Sequence, residues 1–461
     1  MLFDRDENRF PSVAGRRERG KQARKVSPRS AAGTWEPPAD RRDPVGIIEE
    51  GTKTAIPSLL PIRYGRMSAS PFTFYRGTAA IMAADLGPTA VTGINAQLCG
   101  DAHLSNFGLY GAPNRSIVFD INDFDETLAG PWEWDLKRLA VSFVLASREN
   151  GWDPDVQRSV AATSAAEYRQ AMRRFAGMDN VDVWYSRLNT DQLAKIQKPS
   201  KAARKAVRKA RGKDSERAAR KLSEVVDGRR RIVHEPPLVV PFKDFFEDSD
   251  RDRVEQAIPE LFGKYRETLQ SNRQHLMGSY QLIDLALKVV GVGSVGTRAI
   301  MALLQGHDEE DLLFLQIKEA GKSVLAQYGG LTWRRDPGRR VVEGQRLMQA
   351  TSDILLGWSS IGRSHYYFRQ LWDMKGSFDT SLADKTAMHQ YATVCGWTLA
   401  RGHARSGDRI AIARYLGKGD VFDTAIADFG MRYADQAERD YQAFMAAADA
   451  GRIQLDTSVN K

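Results

Sequence analysis

The sequence predicts an α+β protein of two lobes, one mainly helical and large, the other small and β-rich. Three observations predict it. Residues 99–136 are dense in Asp and Asn and lead, through short apolar runs, into an apolar helix at Leu136–Ser147. Residues 152–280 carry apolar side chains at helical spacing, as at Val160, Ala161, Ser164, Tyr168 and Met172. From 281 the pattern changes: an apolar run through Val290 enters a glycine-rich segment, and the strand-like runs Ala299–Leu304 and Leu312–Ile317 follow.

Along the chain, residues 1–45 are rich in Arg, Pro, Gly and Ser and poor in large apolar groups, and are expected to form a disordered basic tail. Residues 46–280 form the lobe with the Asp-rich loop. Within it, 91–150 read as a strand, a loop, a strand pair and the apolar helix. A basic insertion at 197–231 interrupts the helical pattern, and Pro236, Pro237 and Pro241 break it. Residues 281–378 form the small lobe, with a helix around Val341–Leu355 and a strand at His365–Leu371. Residues 379–461 add helices at 385–404 and 409–450 that complete the large lobe.

With 461 residues, 42% hydrophobic and 27% charged, the chain has room for a large two-lobed enzyme. No apolar run approaches the ~18 residues that span a bilayer. Charge begins at Asp4, so the sequence predicts no secretory leader and a cytoplasmic location. Cys99 and Cys395 are the only cysteines, too few for a disulfide framework. The seven histidines lack metal-ligand spacing, which argues against a zinc site. The net charge of +9 concentrates in 16–30 and 197–231. The segment from Lys198 reads as a solvated basic helix. A nucleic-acid contact is the competing reading, but charge alone binds without sequence preference and no aromatic signature accompanies it.

The chemistry lies in Cys99-Gly-Asp101-Ala-His-Leu-Ser-Asn106, then Ile117-Val-Phe-Asp-Ile-Asn-Asp123-Phe-Asp125, then Gly130-Pro-Trp-Glu-Trp-Asp135-Leu. A phosphoryl-transfer site needs one carboxylate to accept the proton of the attacking hydroxyl. It also needs an amide oxygen and a second carboxylate for the magnesium that bridges the nucleotide phosphates. Gly291, Gly293 and Gly296 fit Gly-x-Gly-x-x-Gly, in which small residues let backbone N–H groups approach phosphates. That motif also suits a dinucleotide, with Glu319 near the position of a ribose-binding carboxylate. Lys318, at the end of the next apolar run, favours a phosphate clamp, and Glu343 at the start of a helix is the acid expected to orient it. Glu343 equally suits a first-turn acid that stabilises the helix dipole.

The Asp101 loop resembles the catalytic and metal-binding loops of aminoglycoside phosphotransferases and other small-molecule kinases of the protein-kinase-like fold. The resemblance implies Asp101 as base and Asn106 as metal ligand. Aligned without gaps on Gly130 and Asp135-Leu136, it puts the metal Asp on Asp123, with Asp120 and Asp125 as fallbacks. Cys99 stands where the family has His. In ordinary kinases the glycine loop and lysine come first, so the resemblance implies a circularly permuted chain in which helix 385–404 ends beside Cys99. Over most of its length the chain also resembles the bacterial domain of unknown function 2252, through Ser70-Pro-Phe-Thr-Phe-Tyr-Arg76-Gly, the Asp101 loop and Ala400–Asp408.

These readings imply ATP and magnesium as cofactors and a small-molecule hydroxyl acceptor as partner, with no membrane and an open oligomeric state. A kinase-fold nucleotidyltransferase, a non-catalytic ATP-binding regulator and an NAD-dependent oxidoreductase are the alternatives. A rival catalytic loop at Asp408 with a metal triplet at Asp428-Phe-Gly430 lacks the amide, since Ala413 stands five after Asp408. Arg63, Arg66, Arg76, Arg405 and Asp408 are expected at the border of the site, where fixed charge suits phosphate, or as salt bridges between lobes.

Overall fold

Alternating apolar residues that must cover two faces make strands. In the computed structural model the two expected runs are the strands Ala299–Gln305 and Leu312–Glu319, paired antiparallel with Ala299 opposite Lys318. The structure describes residues 12–189, 200–212, 215–245, 248–289, 295–296, 298–371 and 374–458. Gln281–Lys288 and then Val239–Pro241 extend the sheet on one side, and Ser364–Gln370 and then Gly357–Ile361 on the other. Ala302, Leu304, Leu313 and Leu315 point to one face, where Tyr265 of the helix Asp248–Glu267 stacks on Phe368 at 4.0 Å. Met301, Leu303 and Phe314 point to the other, against Ala218 and Leu222 of the helix Ser215–Leu222.

This sheet therefore recruits residues before 281, the strand Val239–Pro241 and the helix Asp248–Glu267 among them. Both sheet faces are apolar, and the helices that cover them come from the preceding segment. The basic insertion is likewise more than one solvated helix. Lys201–Arg211 buries Ala202, Ala206 and Ala210, and Ser215–Leu222 then leads into a hairpin, Ser223–Val226 with Arg229–Ile232. A Cβ on Gly376 would lie 2.7 Å from the Ala206 carbonyl, so the alanine face of the basic helix sits flush on the chain there.

The helical part of the fold is built around the helix Glu133–Glu149, whose residues from Glu133 to Ser147 are all buried. Trp132 at its start stacks on Tyr168 of the helix Pro154–Ala176 at 5.3 Å. Against these pack Lys385–Ser406 and Val421–Asp449. The approach is closest at Gly396, where a Cβ would lie 2.3 Å from the Ser164 carbonyl. A separate sheet holds the ribbon Phe107–Gly111 with Ile117–Ile121.

Residues 12–45 are folded, contrary to the expected tail; residues 1–11 lie outside the described residues. The arginines that suggested disorder satisfy the last carbonyls of the helix Arg409–Leu416: Arg24 Nε donates to Tyr415 O at 2.8 Å and Arg29 Nη1 to Leu416 O at 2.8 Å. Trp35 packs on Tyr433 with centroids 4.8 Å apart, and Arg41 bridges Asp85 and Asp440 at 2.7 Å each. Among the described residues, no helix is long and apolar enough to cross a membrane.

Candidate active site

The strand Asn95–Leu98 ends in a turn at Gly100, whose φ of +84° favours glycine and whose Cβ would stand 2.3 Å from the Glu126 carbonyl. Asp135, in the first turn of the central helix, holds this turn from beneath. Its carboxylate accepts the N–H of Cys99 at 2.8 Å and of Gly100 at 3.1 Å. His403 Nε2 lies 3.3 Å from the same carboxylate, and its Nδ1 meets Tyr168 OH at 2.9 Å. The expected Trp-Asp-Leu segment thus anchors the loop as well as starting a helix.

Asp101 follows that turn. Its Oδ1 accepts Nε of Arg138 at 2.5 Å, and its Oδ2 lies 3.7 Å from His103 Nε2. Burial raises the Asp101 carboxyl above the usual range and nearby Asp123 adds to the rise, while Arg138 opposes it. Burial, with Arg76 and Arg138, holds His103 well below its ordinary value, so the imidazole is neutral. Arg76 itself has a buried Nε with no partner among the described residues, and its charge acts on Asp101.

Asn106 and Asp123 come together at the end of the ribbon. Asn122 N donates to Asn106 O at 2.8 Å, directly beyond the Phe107–Ile121 pair. Asn106 Nδ2 donates to the Asp101 carbonyl at 2.8 Å, which fixes the amide with its oxygen uncommitted among the described residues. Asp123 Oδ1 accepts Asp125 N at 3.2 Å, and its other oxygen is uncommitted in the same sense. These oxygens are the donor types a magnesium ion takes. Among the described residues no cluster of three or more His, Cys, Asp or Glu offers a denser metal site.

Lys318 reaches the same place from the strand Leu312–Glu319. Its side chain is 2% exposed and ion-pairs Asp125, 193 positions away, while Tyr367 OH donates to the other Asp125 oxygen at 2.6 Å. Burial by itself raises the Asp125 carboxyl, but Lys318 and Tyr367 outweigh it and bring the value down to about 2. Burial likewise works against the Lys318 ammonium, and Asp125 more than restores it, to above the ordinary lysine range. Arg369 bridges Gln316 Oε1 at 2.8 Å and Asn122 O at 3.1 Å. Lys375 is brought down to about 7 by burial and by Arg369, with Asp123 and Asp353 opposing.

Several expected residues sit elsewhere. Glu343 does not orient Lys318: it pairs with Arg339, one turn back on the helix Pro337–Met348, at 2.5 Å. That helix grips the site through Arg340, which donates to the carbonyls of Asp125 at 2.7 Å and Thr127 at 2.6 Å. Asp120 is committed to Arg401 and to Ala350 N at 3.0 Å. Gly291 and Gly293 lie outside the described residues. Gly296 has φ +97°, accepts Ile56 N at 2.8 Å, and follows Val295, whose carbonyl takes Arg63 Nη1 at 3.2 Å. The glycine segment joins two antiparallel strands, not the strand and helix of a dinucleotide fold, and Glu319 pairs with Arg298 at 3.1 Å.

Arg405 donates to Gln349 O at 2.5 Å and lies 3.9 Å over Trp184, bracing the rear of the loop. Asp408 caps the helix Arg409–Leu416 through Ala411 N at 3.1 Å, and Asp428 is mid-helix, paired with Arg158 at 2.7 Å. Sequence reasoning missed Arg138, Tyr367, Arg369 and Lys375, and knew Asp125 only as a fallback metal ligand. The signal for Asp125 was present, since a buried lysine needs an acid.

A family model described as an uncharacterized protein conserved in bacteria (DUF2252) matches residues 55–447, and the chain belongs to that family. Neither the curated proteins nor the solved structures contain a match to it.

Proposed function

We propose that this DUF2252 protein is an ATP- and magnesium-dependent phosphotransferase with a kinase-like, circularly permuted chain and a small-molecule hydroxyl acceptor. The observation that carries the reading is the Lys318–Asp125 pair, which joins the phosphate-clamp candidate to the loop of Asp101, Asn106 and Asp123 across 193 positions. Permutation is supported at the other junction. Ser406, which ends the helix Lys385–Ser406, accepts Gln97 N at 3.1 Å, and a Cβ on Gly407 would stand 2.9 Å from Ala96. A chain started at the small lobe would then run into the catalytic loop in the order of ordinary kinases.

In this reading Asp101 accepts the acceptor's hydroxyl proton. Burial raises its proton affinity, which suits a base, and Arg138 fixes its orientation. Neutral His103 and the Arg76 guanidinium flank it on the acceptor side. Asn106 and Asp123 would hold magnesium, which when bound would supply charge neutralisation on the transferring phosphoryl group. Lys318, Arg369 and Lys375 add cationic groups for the polyphosphate.

The test is thermal stabilisation by ATP with and without magnesium, followed by product analysis. At one hundred times its dissociation constant, ATP adds about 2.7 kcal/mol. Wild type and Asp428→Ala should shift, and Lys318→Ala and Asp123→Ala should not. ADP as the product supports phosphoryl transfer, and pyrophosphate would turn the reading to nucleotidyl transfer. Stabilisation by NAD in place of ATP would overturn it.

A further inference from the structure

A cavity lies against the helix Glu133–Glu149, with Glu133 and Lys137 in its lining. Its volume is about 390 Å³, within the range of small-ligand sites, and Trp35, Pro88, Tyr415 and Phe422 give it an apolar and aromatic wall. One cation opens into it. Lys137 is 6% exposed and lines the cavity, with Nζ 4.6 Å from the centre of the Phe429 ring. Among the described residues no hydrogen bond or ion pair reaches that ammonium.

The acids around the cavity are committed elsewhere. Glu133, one turn before Lys137, accepts Thr92 N at 2.7 Å on one oxygen and Thr92 Oγ1 at 3.1 Å on the other. Asp85 takes Arg41 on both oxygens, at 2.8 and 2.7 Å, and Tyr433 OH at 2.7 Å. Glu36 is exposed at the rim. An ammonium on a largely buried side chain that faces an aromatic ring and the cavity is short of acceptors, and a charge-assisted hydrogen bond is the natural remedy. Burial accordingly lowers Lys137 to about 8, with Glu133 only partly opposing.

We propose that this cavity binds a small aromatic or apolar carboxylate, whose charged end accepts hydrogen bonds from Lys137 and whose body lies against Trp35 and Phe422. Its position is suggestive, because the next residue on the helix is Arg138, which holds Asp101. The binding site stands independently of the phosphotransferase reading.

The probes are benzoate and indole-3-carboxylate, compared with their neutral amides by calorimetry on the full chain. The expected result is saturable binding of a carboxylate at least tenfold tighter than its amide, unchanged in Lys318→Ala and lost in Lys137→Met. In wild type, the bound carboxylate should also slow acetylation of Lys137 by a limiting amine reagent at least fivefold, read by peptide mass spectrometry. Equal binding of acid and amide, no binding of either acid below 10 mM, or an unprotected Lys137 would each overturn the proposal. None of these three readouts needs a variant, so a misfolded Lys137→Met would not obscure them.

Discussion

Replacing Lys318 by Met tests the pair that joins the strand Leu312–Glu319 to the Asp101 loop region. The Lys318 side chain is 2% exposed and that of Asp125 is 29% exposed. The fall of the Asp125 carboxyl from 3.8 to about 2 corresponds to roughly 2 kcal/mol of stabilisation at neutral pH. Because the folded value is depressed, that contribution is full above the unfolded value and is lost as pH falls toward 2. Methionine removes the cation and leaves a half-buried carboxylate that keeps Tyr367 and the field of Arg369 but loses its main counter-charge, for an expected cost of roughly 3 kcal/mol. Burial then raises Asp125 in the variant, so acid protonates it and relieves the defect. Urea unfolding followed by tryptophan fluorescence should show the full deficit at pH 7.5 and less than about 1 kcal/mol at pH 4.5. The double variant Lys318→Met/Asp125→Asn should recover most of the loss at pH 7.5. An equal deficit at both pH values, or a double variant no more stable than Lys318→Met, would refute the reasoning.

Gly100→Ala should cost at least about 2 kcal/mol in unfolding and abolish turnover, since the new Cβ meets the Glu126 carbonyl at a positive φ. Asp101→Asn should keep magnesium-dependent ATP stabilisation and lose ADP formation by at least about a hundredfold, measured by coupled assay. Asp428→Ala breaks an ion pair whose side chains are both 43% exposed, and chemical denaturation should register less than about 0.5 kcal/mol.

Order along the chain was legible where one element carries its own signal. The strand–loop–strand-pair–helix of 91–150 follows from short apolar runs and from Trp132 and Leu136, and the central strands follow from alternation over two apolar faces. Partners across the fold were not legible in the same way. Glu343 looked like the mate of Lys318 because a helix acid after a strand lysine is the usual arrangement, yet Arg339 lies four residues back on its own helix and takes it. The basic N-terminus looked disordered because composition counts charges and cannot see the carbonyls of a distant helix end that Arg24 and Arg29 satisfy. The basic insertion hid its alanine face for a similar reason: Ala202, Ala206 and Ala210 are small, and their burial depends on Gly376 from far along the chain.

Three aspartates crowd the end of one strand, and commitment separates their roles. Asp120 lies within the strand, and its side chain is 2% exposed against Arg401 at 1%. Asn at this position breaks a fully buried pair, with an expected cost of about 3–5 kcal/mol. Asp125 is held by Lys318 and Tyr367. Asp123 comes just past the strand, is half-buried, and keeps one oxygen uncommitted among the described residues. It is therefore the aspartate that can take a cation without surrendering a structural bond. Asp123→Asn should unfold within about 1 kcal/mol of wild type, because it severs no ion pair among the described residues. It should nevertheless erase the difference between ATP with magnesium and ATP with chelator in a thermal shift. Asp120→Asn should do the reverse, losing stability while whatever remains folded keeps its magnesium response. If Asp123→Asn retained that response and Asp125→Asn lost it in a well-folded protein, the metal would belong to the residue that now holds Lys318, and the lysine would have to part from it whenever nucleotide binds.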